Sequence, residues 1–359
     1  MADKPKKTTI LDIAAIANVS TATVSRVLSN SDYPVKQEVR EQILAIAKDL
    51  AYSPNLFSRM LKGADSKEIG VIIPSVANPF YSQLVASVEG VCIKHDYVPI
   101  ICSSYNTPEL QLKHIEMLKQ RCVSGILISV LTTDDEVINQ LKELDTNIVL
   151  FDQTFESKDF DSVNFDFYKA GYMATEYLVQ NGHRNIAFAT APLERRSRKL
   201  FYKGYRKALE DYGIEFEVTN LVVSKVENDA ITTDFHYQNG KNLAKMILEK
   251  EKLPDAIIAI NDMTAFGIIN FFEANEIVVP ADISVMGFDN IPFSEMISPS
   301  LTTIEQPINL TGRLATEMLI NKIEQKTDYE RTVKLEPKLI ERKSVRKKNK
   351  ILRKEKNDL

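Results

Sequence analysis

The 359-residue sequence predicts an α/β protein: a two-lobed core of parallel sheets flanked by helices, preceded by a small all-helical unit. Three observations predict it. Apolar runs of strand length alternate with longer helical patterns from Ser66 to about Glu341, the rhythm of parallel sheets covered by helices. That zone is long for a single sheet, which favours two lobes. The stretch before it, to about Asp65, instead reads as short amphipathic helices joined by tight turns.

The N-terminal elements come first. Thr9-Ile10-Leu11-Asp12 has the form of a capping box, and Ile10, Ile13, Ala14 and Ala17 then recur at helical spacing. Asn18 tolerates the left-handed conformation at a helix end, and Ser20 is a good cap for a second helix from Thr21 to about Leu28. On a helical wheel Thr21, Ala22, Ser25, Arg26 and Ser29 share one arc of about 140°. Val24, Val27 and Leu28 lie on the other side. A third amphipathic stretch carries Val39, Ile43, Ile46, Ala47 and Leu50. Two helices, a short turn and a third helix closing the core form a helix-turn-helix unit. The small, hydroxylated face with one arginine suits base edges and phosphates in a major groove. A three-helix bundle with a solvated polar face is the alternative on pattern alone.

Strands are predicted at Ile69–Ile73, Val98–Cys102, Gly125–Val130, Asn147–Phe151, Asn185–Ala189, Asp255–Ile260 and Ile283–Phe288. Helical patterns fall at Tyr81–His95, Pro108–Arg121, Tyr168–Asn181, Leu200–Tyr212, Gln238–Glu249 and Met263–Ala274. Ligands of such folds bind beyond the carboxyl ends of the strands.

Net charge is −4, which taken in bulk argues against a nucleic-acid binder. The average is misleading. Residues 1–65 hold nine basic and seven acidic groups, and residues 341–359 hold nine and three, so the acid surplus belongs to the core between them. No stretch approaches the ~20 apolar residues of a membrane helix. No apolar signal-peptide segment follows the basic N-terminus, so a cytoplasmic location is expected. Cys92, Cys102 and Cys122 form no C-x-x-C pair and are expected as buried, reduced thiols.

The string Thr9-Ile10-Leu11-Asp12-Ile13-Ala14, then Asn18 through Leu28, strongly resembles the headpiece of the lactose-repressor (LacI/GalR) family of bacterial transcription regulators. The likeness continues through Tyr52-Ser53-Pro54-Asn55, Ile69-Gly70-Val71-Ile72-Ile73-Pro74, Asn78-Pro79-Phe80, Gly182-His183-Arg184, Asn261-Asp262, Gly287-Phe288-Asp289-Asn290 and Leu301-Thr302-Thr303-Ile304. The resemblance implies a helix-turn-helix DNA-binding headpiece over 1–54 and a hinge helix and linker over 55–68. It implies a periplasmic-binding-protein-like (type I) core for effector binding and dimerisation over 69–341. A basic tail, 342–359, lies outside it and is expected to be disordered.

In the family the second helix enters the major groove. The match puts Thr21, Ala22 and Arg26 at base-contacting positions and Ser20, Thr23 and Ser25 at phosphates. Asn18 stands for the usual glycine, and Lys36 replaces the usual serine cap of helix three. The hinge match, Asn55 to Lys62, puts Asn55 at the DNA and Leu61 where the family wedges a leucine between central base pairs; Ser58 replaces the usual alanine. In the core, Asp152, Asn261 and Asp289 match ligand positions, and Phe80 and Tyr81 match an aromatic that stacks on a ring. Asp262 is read as a helix N-cap. Phe201 stands where many sugar-binding members carry arginine, with Arg195, Arg196 and Arg198 nearby to substitute.

The implied function is a homodimeric repressor of sugar-utilisation genes. It would read a pseudopalindromic double-stranded operator under control of a sugar or sugar-phosphate effector. A regulator controlled by a phosphorylated partner protein is the alternative, and a solute-binding protein is disfavoured by the headpiece. No phosphate-binding glycine loop, metal-ligand spacing or nucleophile elbow is present, and nothing accompanies Asp152 and Asp289 to suggest hydrolysis. No catalytic residue, metal, cofactor or membrane partner is therefore expected.

Overall fold

The computed structural model describes residues 8–28, 33–52, 66–130, 135–152, 159–224, 234–326 and 331–347. The chain divides between Ser66 and Lys67 into two units.

The first unit contains α1 (Ile10–Ala17), α2 (Thr21–Leu28) and α3 (Gln37–Asp49). The capping box forms: the Asp12 amide donates to Thr9 Oγ1 and the Thr9 amide to Asp12 Oδ2. Asn18 ends α1 in the left-handed region, at φ 53° and ψ 45°. Ser20 Oγ accepts the Thr23 amide at 3.1 Å and so caps α2. Lys36 supplies no side-chain cap to α3, as its substitution implies. The three helices bury Ile13, Ala14, Ala17, Val24, Val27, Ile43 and Ala47 in one small core.

The second unit has two six-stranded sheets, each the centre of a lobe. In chain order its elements are β1 (Glu68–Ile73), α4 (Pro79–Lys94), β2 (Val98–Ser103), α5 (Pro108–Gln120), β3 (Gly125–Ile128), α6 (Asp135–Lys142), β4 (Asn147–Phe151) and β5 (Asp161–Phe165). There follow α7 (Phe167–Gln180), β6 (Ile186–Thr190), α8 (Arg196–Asp211), β7 (Leu221–Val223), α9 (Phe235–Leu248), β8 (Ala256–Ala259), α10 (Asp262–Glu273), β9 (Ser284–Asp289), α11 (Phe293–Met296) and β10 (Thr302–Glu305). The chain closes with α12 (Ile308–Ile323), β11 (Thr332–Leu335) and β12 (Lys338–Ile340). The first sheet runs β11-β5-β4-β3-β1-β2 and the second β12-β10-β9-β8-β6-β7. All neighbours are parallel except β12, which lies antiparallel on β10. Central strands such as β3, β6 and β8 are buried throughout, as expected when helices cover both faces of a sheet.

The chain passes between the lobes three times, through Asp166, through Gln306-Pro307 and through Glu336-Pro337. The Asp166 amide donates to Leu335 O at 3.1 Å, tying two of these passages together.

Three expectations are corrected. Residues 342–347 are part of the core and not of a tail. The Arg342 amide donates to Thr302 Oγ1, the Ser344 hydroxyl donates to Val285 O at 2.6 Å, and Val345 is buried. Composition misled because Lys343 and Lys347 are exposed while Ser344 and Val345 pack inward and the Arg342 guanidinium donates to Leu301 O and Asn290 Oδ1. Residues 348–359 lie outside the described residues. Second, Asn261 and not Asp262 is the N-cap of α10, accepting the Thr264 amide at 2.8 Å. Third, Cys92 and Cys102 are buried but Cys122 is exposed, because it follows the last turn of α5 in a left-handed conformation.

Candidate functional site

Two surfaces gather the predicted residues. On the first unit, Ser20, Thr21, Ala22 and Arg26 are exposed together along α2, with Thr23 and Ser25 half-buried beside them. Val24 and Val27 anchor the opposite face in the core, so packing fixes which face α2 presents outward. Ser20 Oγ also lies 2.9 Å from Thr23 Oγ1, which holds the two hydroxyls together at the helix start. Asn55 and Leu61 lie outside the described residues.

The second surface is a cleft between the lobes, around a cavity of about 110 Å³. One water needs roughly 10–15 Å³ of such space, so the cavity has room for a small molecule. Its wall includes all eight residues picked from the sequence: Phe80, Tyr81, Asp152, Arg195, Arg198, Phe201, Asn261 and Asp289. Strand ends and helix starts place them. Tyr81 is in the first turn of α4, capped by Asn78. Asp152 directly follows β4, Asp289 ends β9, and Arg198 is in the first turn of α8.

The Tyr81 hydroxyl donates to Asp152 Oδ2 at 2.6 Å. Burial pushes the Asp152 carboxyl up to about 6, although Tyr81 and the Arg195 cation pull it down. Burial also raises Asp289 well above the ordinary carboxylate range, with the charges of Asp262 and Asp152 adding to it. Gln306 Nε2 donates to Asp289 Oδ1 at 3.2 Å. Enclosure by protein, with the Arg198 and Arg195 cations adding to it, lowers His236 to about 3, so its ring is neutral. Asn261 Oδ1 is committed to its helix cap, so its amide NH₂ faces His236 Nδ1 at 3.2 Å and the imidazole proton sits on Nε2. The arrangement offers acceptors, donors and aromatic walls to a ligand with a polar edge.

Arg195 and Arg198 reach the cavity, whereas Arg196 is exposed and does not line it. Arg198 is steadied by donating to Pro192 O at 2.8 Å. Phe201 is fully buried, stacked on Phe188 at 5.5 Å and edge-on to Phe288 at 5.1 Å. Its ring therefore forms cavity wall as part of an aromatic cluster. Sequence reasoning missed His236, Gln306, Phe167 and Phe288 as wall residues. Gln306 had a partial signal, since it directly precedes a proline, which restricts its backbone and marks a break in regular structure.

Beneath the Asp289 loop, Asp262 is fully buried. Its Oδ2 accepts the Ile291 amide at 3.0 Å and the Ser294 hydroxyl at 2.6 Å, and its Oδ1 accepts the Thr303 hydroxyl at 2.6 Å. Asp289 and Asn290 both have positive φ, 126° and 59°. Arg342 Nη2 donates to Asn290 Oδ1 at 2.7 Å, so the loop is held from two directions.

Residues 9–55 match the family model described as bacterial regulatory proteins, lacI family. Residues 66–343 match that of periplasmic binding proteins and sugar binding domain of LacI family. The chain is 33% identical over 340 residues to the HTH-type transcriptional repressor PurR of Histophilus somni, covering 94% of this chain and 99% of the relative. Among solved structures, the lac repressor dimer bound to operator and an anti-inducer is 26% identical, with TM-score 0.80, over 95% of this chain and all of that one. A LacI family regulator from Enterococcus faecium with bound ribose is 27% identical, with TM-score 0.68, over 79% of this chain and all of that one. With a helix-turn-helix unit N-terminal in the sequence to a two-lobed core, both matched in order along the chain, this protein belongs to the lacI family of DNA-binding transcriptional repressors.

Proposed function

We propose that this repressor acts as a homodimer on a pseudopalindromic operator and is controlled by a neutral sugar in its cleft. The observation that carries the effector class is the cavity wall. Asp152 and Asp289 offer their carboxyl oxygens, and Asn261 its remaining amide hydrogen, to hydroxyls beside the Phe80 and Tyr81 rings. Three acids, Asp152, Asp234 and Asp289, stand against Arg195 and Arg198; even with Asp289 raised toward its neutral form, two remain to balance the two cations, so the wall has no cation surplus of the kind a phosphate needs. The bound ribose of the Enterococcus faecium relative supports the same class. A sugar that fits one lobe arrangement better than another shifts that equilibrium, and this differential affinity is what would change DNA binding.

Isothermal titration of the full chain against a panel of monosaccharides and disaccharides tests the class; no heat from any of them overturns it. Asp289→Ala is expected to abolish the heat of the best sugar while leaving operator affinity unchanged. A normal titration in that variant would remove Asp289 from the site.

For the DNA half, two α2 helices would enter successive major grooves about 34–36 Å apart. Arg26 is assigned to a guanine, where a bidentate contact is worth ~1–3 kcal/mol of discrimination. Arg26→Ala is expected to lose that discrimination and keep the salt-sensitive, nonspecific binding that phosphates supply. Unchanged selectivity between operator and scrambled duplex in gel-shift titrations would refute the assignment.

A further inference from the structure

Arg26 does not extend freely from α2. Its guanidinium carbon lies 4.0 Å from the centroid of the Tyr33 ring. Both residues are on the exposed side of the first unit, with Tyr33 54% exposed. The ring is itself held in place. Pro34 restricts the backbone of the residue before it to extended conformations. Val35, one residue further, packs on the headpiece core.

We propose that Tyr33 is a specificity-determining positioning residue, which holds the Arg26 guanidinium over its ring so that the plane is already oriented before DNA arrives. The inference rests on the assignment of Arg26 to a base. Its physical basis is preorganisation. Arginine is long and loses rotamer freedom on docking, and bidentate recognition requires its planar fork in one orientation. A stack in the free protein removes part of that loss for the correct base, where geometry is strict. It does little for a phosphate contact, which tolerates many orientations. Tyr33 thus contributes to selectivity more than to bulk affinity.

The test uses the full-length chain and a library of duplexes randomised over the operator-sized window, with bound sequences recovered and counted. Wild type is expected to enrich two half-sites, each with one strongly specified guanine, and Arg26→Ala to erase that guanine. Tyr33→Leu is expected to weaken discrimination at that position about two- to fivefold, the range an exposed cation–π contact supports, with other positions unchanged. Tyr33→Phe keeps the ring face and is expected to restore the wild-type pattern. Uniform weakening at every position, or Tyr33→Phe behaving like Tyr33→Leu, would assign the tyrosine hydroxyl to a phosphate and overturn the proposal. If Arg26→Ala erases the guanine but Tyr33→Leu leaves it intact, the positioning role alone is wrong. If Arg26→Ala leaves the motif intact, the base assignment itself is wrong.

Discussion

Gly204→Ala is expected to destabilise the core by about 3 kcal/mol or more and to weaken effector binding with it. The reason is a contact between helices at backbone distance. A Cβ on Gly204 of α8 would lie 2.0 Å from Tyr168 O and 2.7 Å from Tyr172 N of α7. The contact is reciprocal, since a Cβ on Gly171 of α7 would lie 2.0 Å from Phe201 O. Neither obstacle is a side chain that can rotate away, so the two helices must separate. Alanine is the better helix former by about 1 kcal/mol, which acts in the opposite direction but is the smaller effect. The displaced helix carries Arg198 and Phe201 into the cleft, so the damage reaches the ligand. Urea unfolding followed by far-ultraviolet circular dichroism checks the stability, and sugar titration checks the binding. An unchanged or raised midpoint would show that α7 and α8 do not pack backbone to backbone.

The second large effect is expected at Asp262. Removing its carboxylate by Asp262→Ala leaves the Ile291 amide and the Ser294 and Thr303 hydroxyls buried without their acceptor. Stranding buried partners of a charge costs about 3–5 kcal/mol. Asp262→Asn keeps the volume but points an NH₂ at groups that are themselves donors, and is expected to recover only part of the loss. The two hydroxyls can turn to accept, whereas the Ile291 amide cannot. Gly287 leaves room for this side chain, because a Cβ there would lie 2.2 Å from Asp262 Oδ1. The Asp289 loop depends on this support, so effector affinity is expected to fall in Asp262→Asn even at temperatures where the variant stays folded. A midpoint in Asp262→Ala equal to wild type would mean the network contributes nothing net.

What the sequence disclosed depended on how local each signal is. The Thr9 and Ser20 caps and the α2 face are decided within a few residues, and they were read correctly. The seven long apolar runs likewise became β1, β2, β3, β4, β6, β8 and β9. The strands missed were β5, β7, β10, β11 and β12. They are short, and several are polar: β5 reads Asp-Ser-Val-Asn-Phe yet is buried throughout. Such a strand is defined by what covers it. The last helix, α12, was missed as well, and no local pattern could reveal that it and β11 return to the first lobe. In the cleft, residues in recognisable motifs were found, while His236 and Phe167 sit in segments with no motif. Asp262 was misread because a carboxylate at a helix start ordinarily caps it, and only the fold shows that its neighbour Asn261 has taken that role.

The three short passages between the lobes have a mechanical consequence. A single tether would let two bodies swivel and twist in any direction. Three of them, two stiffened by Pro307 and Pro337, leave the pair far fewer ways to move. Gln306 belongs both to a passage and to the cavity wall, so a molecule in the cleft pushes directly on the pivot. The same redundancy makes the core hard to dismantle, because a protease that cuts one passage leaves the lobes joined by two.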